Sequence, residues 1–516
     1  MKHFRHGVAS GDPLPDAVVI WTRVTPTRAA LPGSGKGPRV RVRWQVSTSP
    51  RFTRVVRRGT FATGAGRDHT VKLDVTGLQP ATTYYYRFGY HRQWSRIGRT
   101  RTAPAPGSAP ANLRFGVVSC ANLQAGWFAA YRGLAARNDL DAVIHLGDYL
   151  YEYAPGQYGM GNADVDVRRH VPARETVTLA DYRRRHAQYK QDRDLAALHA
   201  RHPVIVTWDD HEVTNDAWAG GAENHDTGER SWARRRRHAH QAYDEWMPVR
   251  MSGTARLDGK QLYRRLAFGE LAELTMLDLR TYRSQQVATP SPAVGDPGRT
   301  IAGREQLDWL KDGLSPDRPL WRLVGNPVMI APVTFGALPQ RLQAAVNQVT
   351  GIVPDGGAAY NTDQWDGYTA DRRELFEHIA DQGVRDVVFL TGDIHSAWAC
   401  DLPLDPATYP VMGTTAGVEF VCASVTSNNL KDITNTPPRT SSVAVENVLK
   451  TANRHVKHLD FDSHGFSVLD LTPARAQMDW YVIGSRADRD TAITWSASWA
   501  TDAGTGRVRR AKGPVA

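Results

Sequence analysis

Polar residues suited to gripping a cation recur in this chain wherever an apolar run stops. Residues 115–118 lead into Ser119-Cys120-Ala121-Asn122, and 142–146 into Gly147-Asp148-Tyr149-Leu150-Tyr151. Residues 204–208 lead into Asp209-Asp210-His211-Glu212, 323–324 into Gly325-Asn326-Pro327, and 387–390 into Thr391-Gly392-Asp393-Ile394-His395. In open α/β sheets, ligands bind beyond the carboxyl ends of the strands. Five such ends would bring a thiol, carboxylates, a phenol, an amide and an imidazole to one region. So many carboxylates are costly to bury without counter-charge, and the pattern predicts bound cations. His211-Glu212 also begins a zinc-protease pattern, but Asn215 stands where the second histidine should be, which rules that reading out.

The elements that must position these groups read as an α/β catalytic region behind an all-β start. Residues 113–119 form an apolar strand, about 127–137 a helix and 142–146 a second apolar strand, the spacing of a βαβ unit. Runs at 204–208, 271–277, 323–328 and 387–390 read as further buried strands. Before them, residues 16–24, 39–46 and 69–75 are short runs rich in β-branched and aromatic residues, punctuated by Gly and Pro. Residues 39–46 alternate basic with apolar, as a half-exposed strand does. Leu78, Pro80 and Tyr84 have the spacing of the tyrosine corner of a fibronectin-type sandwich, which makes Tyr84 a packing residue. Residues 102–110, rich in Pro, Ala, Gly and Ser, read as a linker. The expected division is a β-sandwich over 1–105, a linker over 106–112, a catalytic domain over 113–485 and a partly mobile C-terminal segment over 486–516.

Composition narrows the class without naming a partner. The 516 residues are 41% hydrophobic and 23% charged, which excludes a disordered, collagen-like or coiled-coil chain. With 64 Lys+Arg against 53 Asp+Glu, the formal net charge is +11, a mild preference for anionic partners. No recognition motif accompanies the arginines, so no specific nucleic-acid binding is expected. The basic runs at 183–185 and 234–237 read as solvated helix faces. No stretch approaches the roughly 18 apolar residues of a membrane helix. The first residues lack the apolar run of a secretion signal, which leaves open an intracellular protein or one whose signal has been cut away. Three cysteines are too few for a disulfide scaffold. Alone, Cys120 would read as a small buried hydrophobe and Tyr151 as core; their places at strand ends reverse that. Cys400 and Cys422 keep the structural reading, or form a disulfide if the protein is exported. Residues 460–466 read as a surface turn more readily than as a cover for the site, and the tail from Ala503 as mobile.

The strand-end segments resemble one family. Gly147-Asp148-x-x-Tyr151 resembles the iron-binding segment of purple acid phosphatases. Asp210-His211-Glu212 resembles the Asn-His-Glu segment of calcineurin-like metallophosphatases, with Asp for Asn. Asn326 stands where that superfamily has a ligand His, Gly392-Asp393-Ile394-His395 resembles its Gly-His-x-His, and Cys120 replaces its first Asp. Together with the opening His6-Gly7-Val8-Ala9-Ser10-Gly11-Asp12-Pro13, these departures are the pattern of the alkaline phosphatase D (PhoD-like) family, and the resemblance covers nearly the whole chain.

The resemblance implies a small N-terminal fibronectin- or immunoglobulin-like sandwich followed by a two-sheet αββα metallophosphatase domain. It implies a first ion held by Cys120, Asp148, Tyr151 and His395. A thiolate, phenolate, carboxylate and imidazole suit a transition metal, and the phenolate argues for Fe3+. A second ion would have the bridging Asp148 with Asp210, Asn326 and Asp393, all oxygen ligands, which suits Ca2+. The family also implies a second calcium, for which Asp209, Asn215, Asp216 and Asp278 are candidates. His211 would serve the leaving group, oriented by Asp209 or Glu212. The implied reaction is hydrolysis of phosphate diesters and monoesters by a metal-bound hydroxide, with no covalent phosphoenzyme. A calcium-dependent phospholipase D with the same metals is the near alternative; an adhesion protein with structural metals is the distant one. The implied partners are a phosphate-ester or phospholipid substrate, and the implied form is a secreted or extracytoplasmic monomer, with a cytoplasmic place left open.

Overall fold

The computed structural model describes residues 2–158, 167–251, 262–288, 291–317, 319–335, 341 and 361–515. The N-terminal strands are β1 (Val8–Gly11), β2 (Ala17–Arg23), β3 (Val40–Ser47), β4 (Val55–Thr63), β5 (Thr70–Thr76), β6 (Thr83–Tyr90), β7 (Gln93–Trp94) and β8 (Gly98–Arg101). Alternation in β3 buries Val40 and Val42 and exposes Arg41 and Arg43. Tyr84 is buried, and its hydroxyl accepts a 2.8 Å hydrogen bond from the backbone N–H of Gln79, the predicted corner. β3, β4, β6 and β7 form one sheet, with β8 on β6. β1, β2 and β5 do not stay with them: they extend a ten-stranded sheet, in which β1 runs parallel to β11 (Pro203–Thr207).

That large sheet is centred on β9 (Leu113–Val118), β10 (Ala142–Leu146) and β11, all parallel. Helices α1 (Ala129–Ala136), α2 (Leu179–Lys190), α3 (Arg193–Arg201) and α4 (Trp232–Trp246) follow in chain order. The second sheet contains β12 (Arg264–Phe268), β13 (Ala272–Met276), β14 (Trp321–Asn326), β15 (Val387–Thr391), β16 (Ala397–Pro403), β17 (Thr415–Val421) and β18 (Val456–Asp460). With it come α5 (Arg304–Gly313), α6 (Thr369–Asp381), α7 (Tyr409–Met412), α8 (Leu430–Thr434) and α9 (Ser441–Ala452). The chain then returns to the first sheet as β19 (Gly465–Leu471), β20 (Arg475–Ile483), β21 (Ile493–Asp502) and β22 (Val508–Arg510).

Strand alternation divides the core into layers. Phe115, Val117, Ile144 and Ile205 of the first sheet meet Leu274, Leu323, Leu390 and Phe420 of the second. Val143, Val204 and Val206 face outward onto Leu134, Leu198 and Tyr243 of the helices. Val324 and Phe389 face Leu310, Phe376 and Leu449 on the far side. This is the αββα sandwich that the resemblance implies, and it leaves the carboxyl ends of β9, β10, β11, β14 and β15 at one end.

Several sequence expectations are corrected. Arg183, Arg185 and Arg235 are buried, not solvated. Arg183 forms a two-pronged pair with Glu245, Arg185 donates to the carbonyls of Val171, Pro172 and Arg174, and Arg235 pairs with Glu229. A guanidinium offers five donors, enough to satisfy loop carbonyls from a helix interior. The tail beyond Ala503 is not loose: β22 completes the sheet edge against β21. Asp460, Asp462 and His464 are buried, so this segment is not a surface turn; its Phe461 lines the pocket at the strand ends. Among the described residues, no helix is long and apolar enough to cross a membrane.

Candidate metal centre

The strand ends turn sharply, and the turns place chemistry-bearing residues in the left-handed region. Cys120, Asp148, Asp393 and His395 have φ of 58°, 53°, 61° and 51°. Such a conformation costs about 1–3 kcal/mol for a residue other than glycine, and it clusters at functional sites. Glycines let the turns touch. A Cβ on Gly147, at φ 104°, would lie 2.5 Å from Asp209 Cβ, and one on Gly392 would lie 2.7 Å from Ser119 Cβ. The end of β10 is thereby pressed on that of β11, and the end of β15 on that of β9.

Two groups of ligand-type atoms result. Cys120 Sγ, a carboxylate oxygen of Asp148 and a ring nitrogen of His395 lie within 4.8 Å of one another. Asp148, Asp210 and His211 form a second group by the same measure. Asp148 belongs to both. Tyr151 joins the first: its hydroxyl donates to Asp148 Oδ2 at 2.9 Å and lies 3.3 Å from His395 Nε2. His395 Nδ1 is 2.7 Å from the carbonyl of Asn428, which only an N–H can satisfy, so Nε2 keeps its lone pair toward the group. Burial drives the Cys120 thiol well above its ordinary pKa, with Asp148 adding to the effect; burial likewise lowers His395 to about 4.

These residues fit a cation on an observation independent of motif. Asp148 Oδ1 and Asp210 Oδ1 are buried, and neither has a hydrogen-bond partner. A neighbouring cation, Arg280, holds its Nη2 3.8 Å from Asp210 Oδ1, beyond hydrogen bonding. A buried anionic oxygen without a partner is costly, and a bound cation removes that cost. Burial, Asp209 and Asp363 push Asp393 up to about 8, as crowded carboxylates do when no ion is among them. Asp393 and His211 face an open pocket of about 320 Å³, whose other wall carries Ile394, Leu430, Ile433 and Phe461.

The remaining predicted residues divide. Asn326 is fully buried: Oδ1 accepts from Trp365 Nε1 at 3.0 Å, and Nδ2 donates to the carbonyl of Val328 and to Thr391 Oγ1. One lone pair of its amide oxygen is left for an ion. Asn215 and Asp216 line the pocket. The Asp216 backbone N–H donates to Asp210 Oδ2 at 2.6 Å, while Asn215 reaches out to Glu223. Asp209 is committed elsewhere, gripped through both oxygens by Arg280, which also donates to Asp363. Asp278 Oδ1 accepts from the backbone N–H groups of Arg280 and Thr281, shaping the turn that presents Arg280, while its buried Oδ2 has no hydrogen-bond partner.

The orienting partner of His211 is neither Asp209 nor Glu212. It is Glu152, whose Oε2 accepts from His211 Nδ1 at 2.8 Å. Glu212 instead accepts from the backbone N–H groups of Asp148, Tyr149 and Asp209, at 3.1, 2.5 and 2.9 Å, tying the β10 and β11 turns together. Glu152 carries a signal that was available, its place beside Tyr151 in the strand-end segment. Arg280 and Asp363 carry none. The possible disulfide is overturned: all three cysteines are free and buried. Cys400 pairs in register with Glu419, so Cys422 lies three positions along the ladder. At about 3.3 Å per residue that is too far for a bridge.

Known proteins resemble this chain along its length. A family model described as PhoD-like phosphatase matches residues 115–480, and one for the N-terminal domain of PhoD-like phosphatases matches residues 1–104. Alkaline phosphatase D of Bacillus subtilis (strain 168) is 36% identical over 503 residues, 96% of this chain and 80% of that protein. A solved structure of PhoD superposes with a TM-score of 0.88 at 33% identity, covering 100% of this chain and 93% of the other.

Proposed function

This chain belongs to the PhoD-like phosphatase family, a family of phosphoric ester hydrolases, and we propose that it cleaves phosphate diesters and monoesters with a ferric ion beside calcium. The observation that carries the proposal is the sharing of Asp148 between two groups of ligand atoms, with an orphaned oxygen on Asp148 and another on Asp210. Cys120, Asp148, Tyr151 and His395 would hold the ferric ion, a mixed soft and hard set. Asp148, Asp210, Asn326 and Asp393 would hold calcium through oxygen. Of the candidates for a second calcium, we favour Asn215 and Asp216, which line the pocket, over Asp209, which Arg280 grips, and Asp278, which does not line it.

When bound, such ions offset phosphoryl charge and lower the pKa of water from about 15.7 toward 7. The protein supplies the rest. Glu152 fixes the His211 ring so that Nε2 is the nitrogen free to give a proton to the leaving oxygen. Burial opposes the charged ring, but Asp210, Glu152 and Asp148 outweigh it and keep His211 well above its ordinary pKa. Glu212 holds both catalytic turns at fixed separation. The adhesion alternative falls with family membership. Phospholipid cleavage stays as a second reading because of the apolar wall: Ile433 is 63% exposed at the pocket and suits the hydrocarbon arm of a diester.

The test is a metal inventory of the native protein with its visible spectrum, and a panel of p-nitrophenyl phosphate, bis-p-nitrophenyl phosphate and phosphatidylcholine. Iron with a charge-transfer band, and turnover of both p-nitrophenyl esters, are expected. Absence of iron and of the band would sink the ferric assignment.

A further inference from the structure

Residues 422–429, which follow β17, touch three of the four residues proposed for the ferric ion, Tyr151 and His395 at their side chains and Cys120 at its carbonyl. The backbone N–H groups of Thr426 and Ser427 donate to the carbonyl of Cys120 at 3.3 and 3.2 Å. The Asn428 carbonyl accepts from His395. The hydroxyl of Ser427, fully buried, donates to the Tyr151 oxygen at 2.6 Å and lies 3.0 Å from the Cys120 carbonyl. The segment is itself anchored. Ser424 Oγ donates to the Ser427 carbonyl at 2.7 Å and lies 2.9 Å from His464 Nδ1, and His464 Nε2 lies 2.8 Å from Asp432. Ser424 is buried with its proton spent, so this serine, histidine and aspartate are an anchor and not a nucleophile.

We propose that Ser427 is a positioning residue for Tyr151, supplying the hydrogen bond that orients its oxygen toward Asp148 and His395. The inference rests on the reading of Tyr151 as a ligand. Ser427 has one hydroxyl hydrogen for two acceptors, the Tyr151 oxygen and the Cys120 carbonyl. The Tyr151 oxygen is the nearer of the two, at 2.6 Å against 3.0 Å, so the hydrogen goes to it. The loop does not need this hydroxyl to hold its place, for two backbone N–H groups already bind it to Cys120. The hydroxyl therefore acts on Tyr151.

The experiment compares iron-loaded full-length protein with Ser427→Ala, Ser427→Thr and Ser427→Cys. A hydrogen bond lowers the energy of phenolate electrons, so its loss in Ser427→Ala moves the phenolate-to-iron band to longer wavelength. Iron retention against a chelator weakens by roughly 10–100-fold, the usual cost of losing such support, while Tm changes by no more than about 4 °C. Ser427→Thr keeps the wild-type band. Ser427→Cys, with a weaker donor, shifts it less and in the same direction, and carries the test if the alanine variant does not accumulate. Full iron with an unmoved band in both Ser427→Ala and Ser427→Cys overturns the role of Ser427. Wild-type protein that binds iron without any such band overturns the Tyr151 reading instead, a distinguishable failure.

Discussion

Glu152 Oε2 accepts the Nδ1 proton of His211 at 2.8 Å, from a carboxylate with no exposure to solvent. Its other oxygen accepts from the backbone N–H of Asn215 at 2.7 Å, so the carboxylate cannot swing away. A buried carboxylate so fixed selects one tautomer of the ring and favours its protonated form.

Replacing Glu152 with Gln should therefore lower kcat most for esters whose leaving groups are strongly basic. A loss of about 100-fold is expected for an alkyl ester, within the usual range for general acid catalysis, and a smaller one for p-nitrophenyl phosphate. A leaving-group series for both proteins checks this; parallel slopes would remove His211 from the role of acid.

Asp148→Asn should release both ions, since that residue is common to both groups. Cys120→Ser should release iron and leave calcium in place. Activity is expected to fall by more than about 100-fold in Asp148→Asn, beyond the cost of losing a supporting contact. Elemental analysis beside rate measurement reads both, and EGTA followed by calcium should abolish and then restore turnover.

Arg280 is buried between Asp209 and Asp363. Arg280→Leu leaves both carboxylates without their partner and should cost about 3–5 kcal/mol. Adding Asp209→Asn should recover part of that loss, which a double-mutant cycle in denaturant measures.

Asp432 sits against His464 and Arg486. Burial alone would raise its pKa, but the hydrogen bond and field of His464 and the Arg486 guanidinium hold it below the ordinary carboxylate range; burial lowers His464 itself, so Arg486 is the standing cation at neutral pH. A depressed carboxylate contributes stability above its unfolded pKa of about 3.9 and loses it as pH falls below that value. Tm should thus drop faster below pH 4 in the wild type than in Asp432→Asn, which is already less stable at pH 7.

Ile433→Ser should reduce turnover of phosphatidylcholine by about 10-fold, and that of p-nitrophenyl phosphate by less, if the apolar wall receives a hydrocarbon arm. Equal losses on both substrates would remove the phospholipid reading.

The candidate ligands were legible because they follow the ends of apolar runs, where the fold gathers polar side chains at one end of the sheets. The αββα frame was legible for the same reason, since buried parallel strands read as unbroken apolar runs. The supports were not legible. Arg280, Asp363 and Ser427 are common residue types in unremarkable surroundings, and only folding brings them beneath the site. The arginine runs misled because charge in a helix usually means solvent, yet Arg185 and Arg235 satisfy loop carbonyls in the interior. Cys400 and Cys422 lie close in sequence, but their ladder offset was hidden.

The pairing of β1 with β11 has an architectural consequence. The strand that delivers Asp210 and His211 draws backbone hydrogen bonds from the opening residues of the chain, with β2 and β5 outside it. Severed at residue 105, the remainder would bare a raw edge on its catalytic sheet and invite self-association. The first hundred residues are thus a selvage woven into the enzyme's own fabric, and truncation there should yield aggregate in place of a minimal phosphatase.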